Sequence, residues 1–514
     1  MIDHPIPKPD PCPPTASQLA DEARKRFEDV LALCQGRDFS FFKFEKCLLA
    51  LLAMLGRLLV RLFLAARHER LSLATHLEDG EYRLGDPQAQ RTQKTAWGTV
   101  RYHRAHLIRK KGGAGSCPLD CVLGLTRDQL SPWVMQMVGR LATRLSFAAS
   151  RLVCWAFLRW APATETIEQV VLGLGRRAAP FMEQLAAPPD DGEILVIEVD
   201  GKCPPMATDQ ELAKRRGPRR KRHGSACACG CQRHRGKAKR QARGSKKRRK
   251  KGDKSKNGKE AMLVVMYTLK RGEDGKLHGP VNKKVWGSFA GRKAAARWAR
   301  AQADKRGFGK DAGKTVQLVM DGAKGLRQNL APLFPGAIVT LDICHVVEKL
   351  WELGHRFHKE GSDELVAWVE ELKALLYGGQ AAQLVQRPRG YLEQVPSNGP
   401  GTKGRREALR RVIKYMESRL DMMRYGEWIK QDLVIASGQV EGAARHVVGE
   451  RMDCAGMRWV KGKAEAVLHL RCIELNGDWE RFFGYVQAEN RARLENRQRL
   501  RICTDQPMKL GKVA

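Results

Sequence analysis

Apolar residues recur at helical spacing over the first part of the chain. Leucines follow one another at intervals of three and four between Ala20 and about Arg70, which predicts one long, largely buried helix. A proline-rich leader, residues 1–19, precedes it. Arg57 and Arg61 interrupt its most apolar stretch, so we interpret it as a core or self-association helix and expect no membrane span.

The pattern changes near residue 91. Trp97–Ile108, where Val100 and Tyr102 stand among polar residues, is predicted to form a strand pair that ends at a glycine-rich turn. Cys117 and Cys121 follow this turn. A pair of cysteines at this spacing leaves a zinc site open, because two further ligands are needed.

Helical spacing returns from Ser131 to Leu185. Ser131 can cap the first helix, and Pro132 suits its first turn, where the missing N–H costs no hydrogen bond. A break at Ala161–Pro162 separates two helices, of which the second opens near Thr164. This is the outline of a helix-turn-helix whose second helix would enter a DNA major groove, although any helical hairpin gives the same spacing.

From residue 191 the chain has short runs rich in β-branched residues. The first three predict consecutive strands, and the last three are separated by helical stretches, which indicates an α/β sheet of mixed direction. The five predicted strands are Ile194–Val199, Met262–Leu269, Lys284–Phe289, Val316–Met320 and Ala337–Ile343. Helical spacing then covers residues 346–436 and 437–486.

Eight segments follow from these patterns. They are a flexible leader 1–19, a helical region 20–90, a β-hairpin and cysteine region 91–126, a helix-turn-helix-like region 127–190, an α/β domain 191–345 with a basic insertion 205–260, an all-helical insertion 346–436, the C-terminal helices of the α/β domain 437–486, and a loose basic tail 487–514.

Charge points to a polyanionic partner. Lys and Arg number 93 against 56 acids, a formal net charge of +37. Nucleic acid is the first expectation and a membrane surface the second. Lys214–Lys259 holds 22 Lys or Arg and one Asp, more than half of the imbalance, and its lack of large apolar residues predicts disorder until it meets its partner. A localisation signal or a solubility segment would have the same composition. The residues expected to contact phosphates there are Arg219, Arg220, Lys221, Lys246, Lys247, Arg248 and Arg249.

Cysteine usage and the N-terminal residues bear on the compartment. Residues 1–14 have neither a basic nor an apolar signal region, so we expect a cytoplasmic, nucleoid-associated protein whose 14 cysteines are reduced. Within the basic insertion, three thiols and an imidazole could hold tetrahedral zinc, but their C-x-C-x-C-x-x-H spacing departs from the familiar C-x-x-C pattern. These residues are Cys227, Cys229, Cys231 and His234.

Two aspartates end predicted strands and precede glycine. Asp200 closes VIEVDG and Asp321 closes QLVMDG, so both carboxylates are expected at the rim of the sheet. Hard carboxylate oxygens are the ligands that Mg²⁺ prefers, and a two-ion site can activate an attacking oxygen and stabilise a leaving one. The pair therefore predicts a metal site for phosphodiester chemistry.

A third carboxylate must come from a distant part of the chain. Glu441 is the best candidate, about one turn into a helix that Ser437 can cap, with Arg445 four residues further on the same face. Glu450 and Asp453 are rivals. With 56 acids in the chain, some trio at plausible spacing is expected by chance, so spacing alone leaves the choice open.

Several motifs together resemble the bacterial insertion-sequence transposases of the Kra group, within the DDE superfamily. They are VDG at Asp200, MDG at Asp321, D-x-x-H at Asp342 and His345, SGxVE ending at Glu441, RM-x-x-x-GMRW over residues 451–459, and upstream WGTVRYHRAHL, PLD-x-x-LGL and LSPW. The resemblance covers most of the chain. Its departures are a larger lysine-rich insertion after Asp200 and an acid at Asp453.

The resemblance implies an RNase H-like catalytic domain with a mixed five-stranded sheet, interrupted by an all-helical insertion, and a mainly α-helical N-terminal DNA-binding region. It implies that Asp200, Asp321 and Glu441 are the catalytic, metal-binding triad. It also implies a supporting role for Asp342 and His345, which could orient DNA or a metal-bound water. A structural alternative for His345 is a partly buried histidine that caps the following helix.

The functional hypothesis is a DNA transposase that binds terminal inverted repeats and catalyses cleavage and strand transfer. It requires Mg²⁺, for which Mn²⁺ can substitute, double-stranded DNA, and at least a dimer to join two ends. Arg445, Arg451 and Arg458 are candidates for phosphate contacts close to the site. Two alternatives are a non-catalytic DNA-binding or repressor protein and a structure-selective nuclease.

Overall fold

The computed structural model describes residues 13–36, 40–71, 73, 81–112, 115–210, 259–309 and 312–498. The chain forms two compact units, Met1–Arg177 with Asp478–Ala514, and Ala178–Gly477. The sequence-based boundary lay at residue 190, and residues 478–486 were assigned to the α/β domain. In the structure these residues group with the N-terminal unit.

Two helices open the N-terminal unit, where the sequence predicted one. Helix α1 spans Ala16–Gln35, Gly36 ends it, and Ser40 caps helix α2, Phe41–Glu69, through a hydrogen bond from the Lys43 N–H. The expectation of one largely buried helix is therefore wrong. The leucine spacing gives no sign of the break, because caps and not apolar periodicity determine where helices end.

Most of helix α2 is not buried in this chain. Its buried residues are Gly56, Leu58 and Leu64. Among the helices that the structure describes, α2 is the one long and apolar enough to cross a membrane, and 17% of its most apolar 18-residue window is buried. Length and composition are weak evidence for a membrane span, since helices of soluble proteins pass the same test.

Four short strands follow. Strands β1 (Tyr82–Leu84) and β4 (Leu107–Arg109) pair antiparallel, and β2 (Ala89–Thr95) pairs with β3 (Gly98–Arg104). The sequence predicted a pair within residues 97–108. Strands β3 and β4 do lie there, but each pairs with a strand earlier in the chain, because the hairpin turns at residues 96–97, where Gly98 has φ +109°.

The PLD motif contributes a structural residue. Asp120, in helix α3 (Pro118–Val122), accepts a hydrogen bond of 2.8 Å from the Tyr102 hydroxyl. Arg91 and Arg104 contact the same carboxylate at 2.7 and 2.8 Å. These contacts fasten the β2–β3 hairpin to the helix, since a buried carboxylate needs its donors satisfied.

The helices of the predicted helix-turn-helix region are present. They are α4 (Pro132–Arg144), α5 (Phe147–Leu158) and α6 (Thr164–Gln184). The expected cap at Ser131 is confirmed by its hydrogen bond from the Val134 N–H. The second helix begins at Thr164 as predicted.

A last helix returns to the N-terminal unit. Helix α17, Trp479–Gln498, includes residues predicted to be a loose tail. Arg177 contacts Glu489 at 2.7 Å and donates to the Asn490 side chain at 2.8 Å, and Asn490 is buried. The tail prediction is therefore wrong for residues 487–498, because they are helical and the helix is held at Glu489 and Asn490.

A mixed five-stranded sheet forms the centre of the second unit and confirms the predicted α/β sheet. Strand β5 (Ile194–Lys202) is central, and the order is β7-β6-β5-β8-β9. Strand β6 (Ala261–Arg271) is antiparallel to β5 and to β7 (Leu277–Ser288). Strands β8 (Thr315–Met320) and β9 (Ile338–Leu341) run parallel to β5.

Helices fill the rest of this unit, and residues 346–436 are mainly helical as predicted. A π-helix, Ala444–Gly449, interrupts the C-terminal helices. The α-helices are α7 (Arg292–Lys305), α8 (Lys324–Leu330), α9 (Ile343–Gly354), α10 (Asp363–Tyr377), α11 (Ala381–Gln394), α12 (Thr402–Glu417), α13 (Tyr425–Lys430), α14 (Gly438–Ala443), α15 (Glu450–Met452) and α16 (Lys461–Leu475), with 3₁₀ turns at Ala331–Leu333 and Leu420–Met422.

Candidate active site

Three parallel strands present an aspartate at the same level of the sheet. The last residues that β5, β8 and β9 pair with one another lie side by side, and the residue after each is Asp200, Asp321 or Asp342. Neighbouring strands lie about 4.8 Å apart, and residues in register project to the same face. The C-terminal edge of the parallel strands therefore brings three carboxylates into one row.

Glu441 and His345 join this row. Asp342, His345 and Glu441 each offer one ligand atom, and these atoms all lie within 4.8 Å of one another. The charge of Asp200 affects the ionisation of Glu441, and that of Asp321 affects His345. Among the described residues, the close group of possible ligands is therefore Asp342, His345 and Glu441, and Asp200 and Asp321 of the predicted triad are not members of it. They follow the neighbouring strands in register with Asp342. We call these five residues the acidic edge.

The turn after Asp321 depends on a glycine. Gly322 has φ +75°, and a Cβ atom there would lie 2.6 Å from both the Arg419 Nε and the Leu341 side chain. The Arg419 guanidinium donates two hydrogen bonds to the Gly322 carbonyl, at 2.8 and 2.7 Å. The Tyr415 hydroxyl donates to the Asp321 carbonyl at 3.2 Å. The helical insertion therefore contacts the backbone of this turn directly.

Asp342 is fully buried, and both of its carboxylate oxygens accept hydrogen bonds. It caps helix α9 by accepting from the Cys344 N–H at 2.9 Å, and it accepts from Ser437 at 2.6 Å and from His345 Nδ1 at 2.8 Å. Burial works against its ionisation, but these donors keep the pKa of Asp342 below its usual value.

The Asp342 hydrogen bond raises the pKa of His345 to about 9, so the imidazole is protonated at neutral pH. His345 does not cap the helix; Asp342 does. The expected side-chain cap by Ser437 is also wrong, because its hydroxyl bonds to Asp342 and makes no cap hydrogen bond with helix α14.

A carboxylate that the sequence analysis missed lies beneath the acidic edge. Glu198 is completely buried two residues before Asp200, and accepts hydrogen bonds from the Tyr267 hydroxyl at 2.7 Å and the Val440 N–H at 2.8 Å. Burial raises the pKa of Glu198 to about 7, opposed by these donors. A lone acid within an apolar strand was the available signal, since such a residue needs a partner.

The segment before Glu441 is fastened to the sheet at several points. The Gln317 side chain, fully buried on β8, donates to the Val434 carbonyl at 2.6 Å and accepts from the Val434 N–H at 3.1 Å. The Ile343 N–H donates to the Ile435 carbonyl at 3.0 Å. Together with Ser437 on Asp342 and Val440 on Glu198, these bonds fix where helix α14 begins and so position Glu441.

Burial and neighbouring carboxylates raise the pKa of two residues of the acidic edge, Asp200 and Glu441. Burial and the charge of Asp321 raise the pKa of Asp200. Burial and the charges of Asp342 and Asp200 raise the pKa of Glu441. Four carboxylates face a single imidazolium, so a bound cation would relieve their repulsion. Their hard oxygen atoms are the donors that Mg²⁺ prefers, which makes the donor set suitable for that ion.

Against protein-family models and curated proteins, the chain gives no match. The chemistry of the acidic edge must therefore be inferred from its own residues. Glu450, a rival for the third carboxylate, is outside the edge and contacts His446 at 2.7 Å.

The three predicted phosphate-binding arginines have different surroundings. Arg445 and Arg458 are exposed. Arg451 is 2% exposed and lies over the Trp459 ring, 5.0 Å from its centre, and burial lowers its pKa to about 10. This burial argues against a phosphate contact by Arg451 and indicates a packing role, in which its apolar stem and its planar head both contact neighbours.

The predicted zinc ligands are divided between two regions. Cys117 is half-buried, its pKa raised by burial, and the Cys121 thiol donates to the Cys117 carbonyl. Neither cysteine joins a group of three potential ligands among the described residues. Outside the described residues lie Cys227, Cys229, Cys231 and His234, with Arg219, Arg220, Lys221, Lys246, Lys247, Arg248 and Arg249.

Proposed function

We propose that this protein is a DNA transposase of the DDE type, which cleaves and joins DNA at the acidic edge. The observation that carries the proposal is the alignment of Asp200, Asp321 and Asp342 in register, with Glu441 beside Asp342. The mixed sheet and the helices inserted before Glu441 support the RNase H-like catalytic domain that the sequence resemblance implies.

Asp200, Asp321 and Glu441 would hold Mg²⁺ or Mn²⁺. Bound there, the metal would neutralise phosphate charge and activate the attacking oxygen. The chain's own residues prepare this site before any ion arrives, because the strands fix two carboxylates and the Val434–Val440 segment fixes the third. Prealigned ligands avoid the free-energy cost of ordering side chains during the reaction.

His345 supplies a positive charge at the same edge. Its hydrogen bond to Asp342 keeps it protonated at neutral pH, so it can donate to an oxygen of the scissile phosphate. Asp342 orients the ring, as a carboxylate partner commonly does for a functional histidine. We therefore assign His345 a role in DNA binding at the cleaved bond, with Asp342 as its positioning residue.

DNA recognition would come from outside the acidic edge. The basic segment Lys214–Lys259 supplies sequence-independent affinity through phosphate neutralisation. Helices α5 and α6 are the candidate for base readout in the terminal repeats, with α6 in the major groove. Because joining requires two ends in one complex, at least two copies would act together.

A strand-transfer assay tests the proposal. The substrate is a pre-cut duplex, with a free 3′-hydroxyl, taken from the DNA that flanks the reading frame, supplied with Mg²⁺ or Mn²⁺ and a target plasmid. We expect joined product from the wild type. We expect a loss of more than about 100-fold in Asp200→Asn and Glu441→Gln, the range measured when one group that stabilises a transition state is removed.

Glu450→Gln is the matched control, because it removes an acid from the same C-terminal region but outside the edge. It should join DNA at close to the wild-type rate. Cleavage without joining would favour the nuclease alternative. Tight end binding with no chemistry under either metal would favour the repressor and refute the transposase.

A further inference from the structure

The N-terminal unit carries a broad apolar surface. It is formed by Leu52, Leu59 and Phe63 on α2, Trp133 on α4, and Phe157 on α5, which are between 40% and 75% exposed. We call it the α2–α5 surface. Single exposed apolar residues are ordinary in soluble proteins, but a contiguous group of this size marks an interaction site.

Helix α2 uses its other faces within the chain. Leu58 packs with Leu19 and Ala23 of α1, and Leu64 packs with Val100 and Tyr102 of the hairpin strand. Residues 52, 59 and 63 are spaced by seven and four, so they lie on one stripe away from both contacts. The exposed stripe is therefore a separate face of the helix and does not come from loose packing against α1 or β3.

A groove joins α2 to α5. Its volume is about 640 Å³, and its lining includes Leu49 and Val60 of α2, Trp97 of the hairpin turn, Trp133 and Phe157. Trp97 lies directly on α2, because a Cβ atom at Gly56 would be 2.4 Å from its ring. Leu49 and Val60 each lie three residues before a member of the exposed stripe, so the groove borders the stripe along α2.

We propose that a second copy of this chain covers the α2–α5 surface. A surface that has both projecting rings and an apolar groove can be complementary to itself, which a two-fold dimer requires because both partners use the same patch. Its area also fits. At about 150–250 Å² per whole side chain, the exposed parts amount to roughly 400–650 Å², half or more of the ~800 Å² per partner of a standard interface.

The chemistry of the surface argues against other occupants. DNA presents phosphates and base edges, which gain nothing from exposed leucine and phenylalanine side chains. The guanidinium of Arg67 is a cation at this stripe, and it lies over the Phe63 ring. A lipid-spanning α2 would have to leave α1 and the hairpin, whose contacts with it include Leu58 and Leu64. The inference does not rest on the proposed function, because it uses only the apolar packing of the N-terminal unit.

The test measures the mass of the nuclease-treated full chain by light scattering after size exclusion in high salt. We expect twice the chain mass of 57.7 kDa. The variants Leu59→Glu and Phe157→Glu should each weaken the dimer by at least about tenfold and shift it toward monomer, since each buries an unpaired charge in the interface. Both positions are exposed in one copy, so their melting temperatures should stay unchanged at dilutions where the wild type is monomeric.

Ile429→Glu is the matched control, an exposed apolar residue of the other unit. It should leave the mass unchanged. A wild type that is monomeric at micromolar concentration would overturn the proposal, as would a dimer that both surface variants preserve. Flotation with phosphatidylcholine and phosphatidylglycerol vesicles, abolished by Leu59→Glu, would assign the surface to a membrane and also overturn it.

Discussion

Glu198 and Asp200 lie two residues apart on one strand, and their surroundings give them different tasks. Asp200 is partly exposed at the rim, where it can meet a ligand. Glu198 is buried, and both of its oxygens accept hydrogen bonds from within the protein. One of those donors, the Val440 N–H, directly precedes Glu441. Glu198 therefore acts through the helix that carries Glu441 and is a positioning residue.

Two substitutions of Glu198 distinguish a requirement for its hydrogen bonds from a requirement for its negative charge. Glu198→Gln can keep both contacts, because the amide oxygen accepts from Val440 and the amide N–H₂ donates to the Tyr267 oxygen. Glu198→Leu leaves both donors buried without a partner, at about 1–3 kcal/mol each. We expect the Glu198→Gln variant to retain most strand-transfer activity. We expect the Glu198→Leu variant to lose at least tenfold in that activity and to have a lower melting temperature.

Rescue by Gln is the informative result, since a requirement for the negative charge itself would make Gln as inactive as Leu. The Mg²⁺ concentration that gives half-maximal strand transfer should rise in the Glu198→Leu variant and stay unchanged in the Glu198→Gln variant. Equal midpoints in all three proteins would contradict the positioning role.

His345 makes folding stability depend on pH. Its pKa is raised to about 9 in the folded state, above the ordinary 6.5. The folded state therefore gains stability from the proton, fully present below pH 6.5 and lost as pH rises through 9. In EDTA, the unfolding free energy of the wild type relative to His345→Gln should fall over that range. A constant difference from pH 6 to 9.5 would show that the His345–Asp342 pair does not stabilise the fold.

Individual residues of the site differ in how far the sequence could predict them. Asp200 and Asp321 are recognisable because an acid and a glycine end an apolar strand. Ser437 is different: a serine before a helix predicts a cap, yet its hydroxyl bonds to Asp342, a residue 95 positions away. Local sequence states what a side chain can do, and the folded chain decides which available partner it meets.

At the level of elements, the segment Val434–Val440 links the helical insertion to the acidic edge. It is not a strand of the sheet, but the buried Gln317 side chain bonds to both backbone groups of Val434. Ile343, Asp342 and Glu198 bond to later residues of the segment. Each bond satisfies a polar group that would otherwise be buried alone, so the segment has one defined path along the sheet.

Removal of the Gln317 amide tests this link. Gln317→Leu leaves the Val434 N–H and carbonyl without their partner, and we expect a loss of about 2–4 kcal/mol in unfolding free energy. The surface variant Gln431→Leu is the control and should change stability little. Chemical denaturation measures both, and a loss below 0.5 kcal/mol in Gln317→Leu would mean that the backbone of Val434 finds other partners.

Elements were predicted best where apolar periodicity alone defines them. The five strands and the helices after residue 346 follow directly from it. The break between α1 and α2 does not follow from periodicity, because the cap at Ser40 determines it. The pairing of β3 with β2 does not either, because the turn at Gly98 determines it. The π-helix Ala444–Gly449 likewise has no periodic signal, although π-turns occur frequently at functional sites.

At the scale of the whole molecule, the largest cluster of positive charge in the sequence does not include the acidic edge. The chain has a net charge of +37, while the edge gathers four carboxylates. Because the acidic edge suits cations, the proposed affinity for DNA has to come from other surfaces. Lys214–Lys259, with a net charge of +21, is the largest such source in the sequence.

Replacement of Lys214–Lys259 by a glycine-serine linker of equal length tests this source. Each phosphate neutralised contributes about −0.9 to the slope of log affinity against log salt concentration. We expect the linker variant to bind DNA more weakly in low salt and with a slope at least about three units shallower. Fluorescence anisotropy between 50 and 300 mM salt measures it, and an unchanged slope would assign phosphate binding to the remaining surfaces.

The contacts of Tyr415 and Arg419 with the backbone at residues 321–322 have a practical consequence for shortened versions of this protein. The helices between β9 and Glu441 form an insertion that could be deleted to shorten the chain. Excision would also remove the hydroxyl and the guanidinium that brace the loop bearing the second aspartate. A shortened protein would therefore need replacement contacts at this loop before the proposed activity could be tested in it.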